Sequence, residues 1–367
     1  MGSGTTVYTR VTSTGTPLFL SCELVPVSVN SRLNLAARGR EDAKGHTRQM
    51  LRGSASRRLG RLLCSSAMSL RIDAMPLHLD CAVSMLPHPA KARTGGEDAY
   101  FIREHPAVVA VLDGVGGWSE QGVDAGDFSR ELAARTEEQF DLCGDDGSGG
   151  TDSSDGTEPA LTALSLQAAL AAGLANVRSL GTCTACLVAI DGQRSMVTAL
   201  NVGDSGFRLF RPAPANGCAQ LVAASRPQQH SFNCPFQLGT GSADRPSDGD
   251  SYSVPIVAGD VLLLATDGVF DNLFDGEIAS LITSASAEGG EATAEVIASL
   301  VAKRARETST NTRSTTPFSK EAAAHGWNMP GGKVDDTTVV CVKVLGGGVD
   351  QHVARELDAG DTPRSRL

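Results

Sequence analysis

The chain has 367 residues, of which 41% are hydrophobic and 20% are charged. This composition is typical of a globular protein and argues against wholesale disorder, a collagen-like chain or a coiled coil. No apolar run approaches the roughly 18 residues of a membrane-spanning helix, so we expect no membrane span.

Charge divides the chain into two parts. Residues 1–80 contain 11 Lys and Arg against 5 Asp and Glu, whereas the remainder contains 21 basic and 37 acidic residues. An acidic body repels the phosphates of nucleic acids, so we expect no nucleic-acid partner, but it is suited to holding cations. The Ser- and Arg-rich segment 1–80 resembles a mitochondrial or chloroplast transit peptide and equally fits a disordered basic tail. The sequence therefore predicts an organellar protein, or a cytoplasmic one if the segment is only a tail.

From about residue 81, short apolar runs alternate with Gly, Asp and Asn. Runs of strand length occur at 107–112, 183–190, 196–202, 207–211, 261–266 and 337–344. Apolar residues with helical spacing occur in three groups: Phe128, Leu132 and Phe140; Leu166, Leu170, Leu174 and Val177; and Val296, Ile297, Leu300 and Val301. Asp191-Gly192, between two of the strands, is a hairpin signal.

Grouped strands with few intervening helices favour antiparallel sheets, because parallel strands need a crossover helix after nearly every strand. We predict an α+β domain over residues 81–345, and we expect it to be a monomer. Residues 141–159 form an acidic low-complexity insertion, and residues 346–367 form a polar tail.

Cysteine spacing gives no metal site. Cys183 and Cys186 form a C-x-x-C pair, but no second pair follows at the spacing of a zinc site. Both lie within an apolar run, so we predict buried thiols on a strand.

Acidic residues recur beside glycine at the ends of the predicted strands. The five positions are Asp113-Gly114, Asp204, Asp267-Gly268, Asp335-Asp336 and Glu97-Asp98. A single carboxylate at a strand end usually only turns the chain. If the strand ends converge, however, five such positions could not all stay ionised without a cation. Oxygen ligands without a His or Cys cluster favour Mg²⁺ or Mn²⁺ over zinc.

An ordered set of motifs resembles a known family. In chain order, the motifs are Arg93-x-x-x-Glu97-Asp98, VLDGVGGW (111–118), GTCTA (181–185), NVGDSG (201–206), ATDGVFDN (265–272) and DDTTVV (335–340). Over about residues 81–345 this set resembles the motifs of the metal-dependent protein phosphatases, type 2C. The residues within the motifs are similar to those of the mitochondrial and plastid subgroup of that family. The ordered set is far more specific than any one of its motifs.

The resemblance implies a fold and a metal centre. The implied fold is a sandwich of two antiparallel β-sheets flanked by helices on both sides, in four αββα layers, with two Mn²⁺ or Mg²⁺ ions at one end. Asp113 then bridges the two ions, Asp267 and Asp335 complete one of them, and the Gly114 carbonyl and Glu97 complete the other.

Further roles follow from the same resemblance. Asp98 is expected to hold water molecules of the second ion, and Asp204, with Asp267, matches a weaker third-ion position. Arg93 matches the arginine that binds the substrate phosphate. Asp336 stands where many members have Asn, and of the pair we favour Asp335 as the ligand.

The implied activity is hydrolysis of phosphoserine and phosphothreonine in phosphorylated proteins by metal-activated water. One departure concerns the residue after Asp-Gly, which is a His and general acid in much of the family. Here it is Val115, which has no proton to donate. His230 is either a substitute or a structural residue. The alternative function is a phosphatase-like scaffold that binds phosphoproteins with little or no turnover.

Overall fold

The computed structural model describes residues 31–34, 77–142, 160–212, 218–287 and 292–346. Residues 143–159 of the predicted insertion, residues 347–367 of the predicted tail and most of the N-terminal segment 1–80 lie outside these residues, whereas residues 141 and 142 belong to a helix.

Strands and helices contribute similar numbers of residues to the structure. The strands are β1 (Ser31–Asn34), β2 (His78–Leu86), β3 (Asp98–Arg103), β4 (Val108–Asp113), β5 (Thr182–Cys183), β6 (Ala185–Asp191), β7 (Met196–Val202), β8 (Gly206–Arg211), β9 (Gln220–Ala224), β10 (Gln229–Ser231), β11 (Cys234–Pro235), β12 (Leu238–Gly239), β13 (Asp250–Pro255), β14 (Val261–Ala265) and β15 (Thr337–Leu345). The helices are α1 (Ala125–Leu142), α2 (Ala163–Ala175), α3 (Asp267–Phe270), α4 (Asp275–Ala287), α5 (Ala294–Ser309) and α6 (Pro317–Ala324). Short 3₁₀ turns occupy Pro89–Lys91, Gly116–Gln121 and Pro246–Asp248.

Two larger sheets contain most of these strands. One has six strands in the order β1-β2-β15-β14-β8-β9, and the other has five in the order β13-β7-β6-β4-β3. Neighbouring strands in both sheets run antiparallel. The chain passes from one sheet to the other between β7 and β8, so the ends of strands from both sheets meet around that connection.

Three apolar layers hold the sheets and helices together. The inner faces of the two sheets pack on each other through residues such as Val111, Val188 and Leu264. A second cluster joins the six-stranded sheet to α4 and α5, and a third joins the five-stranded sheet to α1 and α2. Burial of these aliphatic faces is the main stabilising contribution. The result is the αββα arrangement that the resemblance implied.

Threonine begins three of the helices. The side chains of Thr162, Thr293 and Thr316 each accept a backbone N–H from the first turn of α2, α5 and α6, respectively. Each bond satisfies one of the N–H groups that a helix start leaves without a partner.

The predicted strands and helical stripes are present, with small differences at their ends. The run 196–202 matches β7, and the run 183–190 is divided at Thr184 into β5 and β6. Cys183 and Cys186 are both fully buried, which confirms the prediction for these thiols. Some elements lack a regular spacing of apolar residues and were therefore not predicted, among them β9, β13, α4 and α6.

The six-stranded sheet includes residues that precede the predicted domain boundary at residue 81. Strand β2 begins at His78, and residues 31–34, assigned to the N-terminal extension, pair with it as an edge strand. An edge strand is held by backbone hydrogen bonds, so the sequence Ser-Arg-Leu-Asn needs no apolar alternation to join the sheet. Among the described residues, no helix combines the length and the apolar character needed to cross a membrane.

Candidate metal centre

Acidic residues from both sheets meet at one end of the sandwich. Asp113 ends β4, Asp204 lies between β7 and β8, Asp267 begins α3 directly after β14, and Asp335 lies two residues before β15. All four line one cavity of about 410 Å³, together with Gly114. The antiparallel order of the strands accounts for this convergence, because the end of β14 and the start of β15 lie side by side. The structure therefore brings together four of the predicted carboxylates.

Glu97 and Asp98 lie directly beside this group. Asp98 is opposite Asp113 in the register of β3 and β4 and is 1% exposed. Its Oδ2 accepts hydrogen bonds from Thr266 Oγ1 at 2.9 Å and Thr338 Oγ1 at 2.7 Å, whereas its Oδ1 is buried without a hydrogen-bond partner. The two threonines fix the orientation of this carboxylate and leave one oxygen for another ligand.

Glycine is required where the segments that carry these acids approach each other. Gly114 N–H donates to the Glu97 carbonyl at 3.1 Å, and a methyl group at Gly114 would lie 2.6 Å from that oxygen. At Gly268, a methyl group would collide with the carbonyl oxygen of Asp336. The glycines beside the acids therefore allow the close backbone packing that gathers them.

The adjacent Asp335 and Asp336 have different surroundings. Asp336 is 2% exposed, and its carboxylate accepts the backbone N–H groups of His88 at 2.5 Å and of Glu97 at 2.9 Å. Asp335 instead lines the cavity. The position of Asp335 supports the preference for it as the ligand, because the carboxylate of Asp336 is already occupied in holding the backbone.

The structure does not bring Arg93 into the cavity. Arg93 is exposed in the turn before β3, while Lys91, two residues earlier, lines the cavity. Lys91 Nζ pairs with Glu97 Oε2 and lies 3.7 Å from Asp336 Oδ2. The exposed position of Arg93 therefore gives no support to the phosphate-binding role expected of that residue. Lys91 was not among the predicted site residues because the motif spacing indicated Arg93, and a basic residue at the start of the same turn was the signal that could have found it.

A second lysine also lies among the acids. Lys333 Nζ pairs with Asp267 Oδ2 and lies 2.9 Å from Asp271 Oδ2 and 3.5 Å from Asp335 Oδ2. Burial lowers the pKa of Lys333, but the carboxylates, Asp267 first, outweigh this effect and hold that pKa well above its usual range. Neither Lys333 nor Asp271 was among the predicted site residues, although both fall inside or next to the motifs that were recognised.

Crowding of negative charge raises the pKa values of the acids. Burial, followed by repulsion from Asp267, raises the pKa of Asp113 well above its usual value. The same two causes raise the pKa of Asp204 to about 8 and that of Asp335 to about 6. These shifts are what is expected of buried carboxylates that lack enough positive charge nearby.

The donor atoms fit a hard divalent cation, although they do not form a closed ligand set. Among the described residues, no three His, Cys, Asp or Glu side chains are close enough together to hold a metal ion as they stand. Asp98 Oδ1 and Asp267 Oδ1 are nevertheless buried without hydrogen-bond partners. Mutual repulsion keeps carboxylates apart when no cation lies between them. An all-oxygen donor set of this kind suits Mg²⁺ or Mn²⁺.

The proton donor missing at Val115 is not supplied by His230. Val115 lines the cavity, whereas the ring of His230 is half exposed, pairs with Asp244 at 2.9 Å and stacks on Phe236. The structural interpretation of His230 therefore fits its position. The histidine that lines the cavity is His88, which sequence analysis did not select.

Comparison with known proteins points to one family. The chain is 37% identical over 279 residues to "Probable protein phosphatase 2C 55" of Arabidopsis thaliana, a match that covers 75% of this chain and 54% of that protein. It is 34% identical over 299 residues to "Probable protein phosphatase 2C 26" of the same species, covering 77% of this chain and 90% of that protein. The chain thus spans about half the length of the first relative and most of the second.

A solved structure agrees with these sequence matches. The X-ray structure of the photosystem II phosphatase PBCP superimposes with a TM-score of 0.60 at 29% identity, covering 72% of this chain and 98% of that one. No protein-family model matches the chain. The extent and identity of the sequence matches, the shared fold and the ordered acidic motifs lead to one conclusion: the chain belongs to the protein phosphatase 2C family.

Proposed function

We propose that this protein is a Mn²⁺- or Mg²⁺-dependent hydrolase that removes phosphate from phosphoserine and phosphothreonine in proteins, using two ions. The observation that carries the proposal is the meeting of Asp113, Asp204, Asp267 and Asp335 in one cavity that also contains Lys91. A scaffold without turnover would have no use for so many mutually repelling acids, and the relatives named as protein phosphatases support the same activity.

The residues that would hold the ions are Asp113, Gly114, Glu97, Asp267 and Asp335. When bound, such ions lower the pKa of water and neutralise the charge of a phosphate dianion, which is the main barrier to its hydrolysis. The chain itself contributes rigid placement of these ligands through the glycine contacts and the two sheets. Thr266 and Thr338 orient Asp98, whose buried Oδ1 has no hydrogen-bond partner in the protein. This oxygen would accept a hydrogen bond from a water molecule bound to an ion.

A matched pair of variants at one acid tests the activity. We expect Asp267→Asn to lose Mn²⁺-dependent release of phosphate from para-nitrophenyl phosphate, since one charged oxygen ligand is replaced by a neutral amide. Asp127→Asn is the control, because Asp127 is 70% exposed on α1. Equal inactivity of the unmodified protein and Asp267→Asn at saturating Mn²⁺ would favour the scaffold function instead.

We further propose that Lys91, in place of Arg93, binds the substrate phosphate. Lys91 reaches the cavity that Arg93 does not, and its ammonium group lies beside Glu97. Binding of cations by Glu97 would free this ammonium group to contact phosphate oxygens.

Kinetics on a phosphopeptide separates the two basic residues. A hydrogen bond to a charged group contributes about 1.5 to 3 kcal/mol, so Lys91→Met should lower kcat/KM by roughly 10- to 150-fold. Arg93→Met should change kcat/KM by less than about twofold, as expected of an exposed residue. The reverse order of effects would return the phosphate-binding role to Arg93.

We also propose that the basic segment 1–80 directs the protein to a mitochondrion or plastid, and that the protein belongs to the mitochondrial and plastid subgroup of the family. Its support is the excess of Arg over acidic residues in the sequence. Fusing residues 1–80 to a fluorescent protein tests the address, and a uniformly cytoplasmic signal would reject it. We propose a monomer, and sedimentation of the full chain is the corresponding measurement.

A further inference from the structure

The segment Gly331-Gly332-Lys333 places a positive charge inside the acidic cavity. One ammonium group, on Lys333, is shared by the carboxylates of Asp267, Asp271 and Asp335. The lysine side chain is only 17% exposed, and Lys333 lines the same cavity as Asp113. The cavity therefore contains a cation of the chain's own.

The position of Lys333 is fixed by its backbone. Its N–H donates to Asn272 Oδ1 at 3.0 Å, and Asn272 Nδ2 donates to the Lys333 carbonyl at 2.8 Å. Asn272 is fully buried and also holds the Gly268 carbonyl, next to Asp267. The preceding Gly332 packs so closely that a methyl group there would lie 2.5 Å from Ser309 Cα. Lys333 is thus anchored to the helix that carries Asp267, unlike a surface lysine whose side chain happens to reach the cavity.

The two oxygens of Asp267 have different neighbours. Oδ2 is paired with Lys333, whereas Oδ1 is buried without a hydrogen-bond partner. Oδ1 is therefore available to a divalent ion, while Oδ2 is already neutralised together with Asp271, one helical turn further on. A divalent ion at Oδ2 would lie beside the ammonium group, where like charges repel strongly because little water separates them.

We propose that the ammonium group of Lys333 takes the place of an additional divalent ion among Asp267, Asp271 and Asp335, so that the centre holds two ions and not three. This inference rests on the proposed metal-dependent function and deepens it. The ammonium group shares Asp267 with the third-ion position that the family resemblance implied at Asp204 and Asp267, and its charge disfavours a divalent ion there.

Metal stoichiometry tests the inference without any measurement of activity. Full-length chain is dialysed to equilibrium against a series of Mn²⁺ concentrations, and bound Mn²⁺ is counted by elemental analysis. We expect two ions per chain for the unmodified protein and three for Lys333→Met, which keeps most of the length of the side chain and removes its charge. The control Lys303→Met, at an exposed position on α5, should bind two.

A double variant shows where the added ion binds. Asp271→Asn in the Lys333→Met background should return the count from three to two, since the new ion would lose a charged ligand. Asp271→Asn alone should leave the count at two, because Lys333 still fills the position. Circular dichroism of each variant establishes that it is folded.

The inference is overturned by three ions in the unmodified protein, by two in folded Lys333→Met, or by a third ion that persists in the double variant. If Lys333→Met does not fold, the count for the unmodified protein alone decides. The outcome is independent of the proposed activity: three ions with phosphatase turnover would remove only this inference, and two ions without turnover would remove only the activity.

Discussion

Gly114→Ala tests whether close backbone packing builds the metal centre. Gly114 follows Asp113, and its N–H donates to the Glu97 carbonyl. A methyl group at this position would lie 2.6 Å from that carbonyl oxygen and 3.0 Å from the carbonyl oxygen of Ala125. Both neighbours are backbone atoms in different segments, so neither can move aside by rotation of a side chain.

The structure sets the size of the expected effect. Ordinary contacts of a Cβ atom begin at 3.4 Å, so the Glu97 carbonyl would have to move by about 0.8 Å and the Ala125 carbonyl by about 0.4 Å. Overpacking of this kind costs about 1 to 3 kcal/mol, and two backbone collisions place Gly114→Ala near 3 kcal/mol. A shift of this size also exceeds the roughly 0.5 Å tolerance of a catalytic constellation, so Mn²⁺-dependent turnover should fall at least about tenfold.

Urea unfolding followed by circular dichroism measures the loss of stability, and phosphate release measures the loss of turnover. Gly117→Ala is the matched control, because Gly117 lines the same cavity and a methyl group there would meet no atom within 4 Å. It should change the free energy of unfolding by less than about 0.5 kcal/mol. If Gly114→Ala were as stable and as active as Gly117→Ala, close packing at Gly114 would not be what positions Asp113 and Glu97.

Two further predictions concern buried carboxylates. Burial raises the pKa of Asp204 to about 8, above the roughly 3.9 of an unfolded aspartate, so its stabilising contribution is present below about pH 4 and is lost as pH rises through about 8. In the metal-free protein, the unfolding free energy should fall between about pH 5 and 8, and Asp204→Asn should make this fall smaller. Urea titrations with a chelator present measure the unfolding free energy at each pH. An unchanged dependence of that free energy on pH would contradict the prediction. Asp260, fully buried, accepts two hydrogen bonds from Arg211 at 2.8 Å and one from the Val257 N–H at 2.9 Å. Asp260→Ala should cost about 2 kcal/mol of unfolding free energy because it removes hydrogen bonds to a buried charged carboxylate, whereas exposed Asp127→Ala should cost less than about 1 kcal/mol, and similar costs would refute the distinction.

Local sequence determined the elements and the chemical nature of the site. The spacing of apolar residues and the length of an apolar run are local properties of the sequence. Strands such as β7 and the apolar face of helix α5 could therefore be predicted from the residues alone. Glycine next to aspartate at several strand ends likewise indicated close approach and a cation. The family resemblance then ordered these positions into one centre, and the fold agrees with it.

Only the tertiary structure distinguished neighbours that look alike in sequence. Asp335 and Asp336 are adjacent acids, and Lys91 and Arg93 are nearby bases, yet in each pair one residue lines the cavity and the other does not. The turn before β3 is held by Asp336, which accepts the His88 N–H, and by Arg130 of α1, which donates to the Gly96 carbonyl, and these contacts join residues far apart in the chain. The same holds for Lys333, whose role depends on Asn272 about 60 residues away, and for residues 31–34, which become a strand only because β2 offers an unpaired edge.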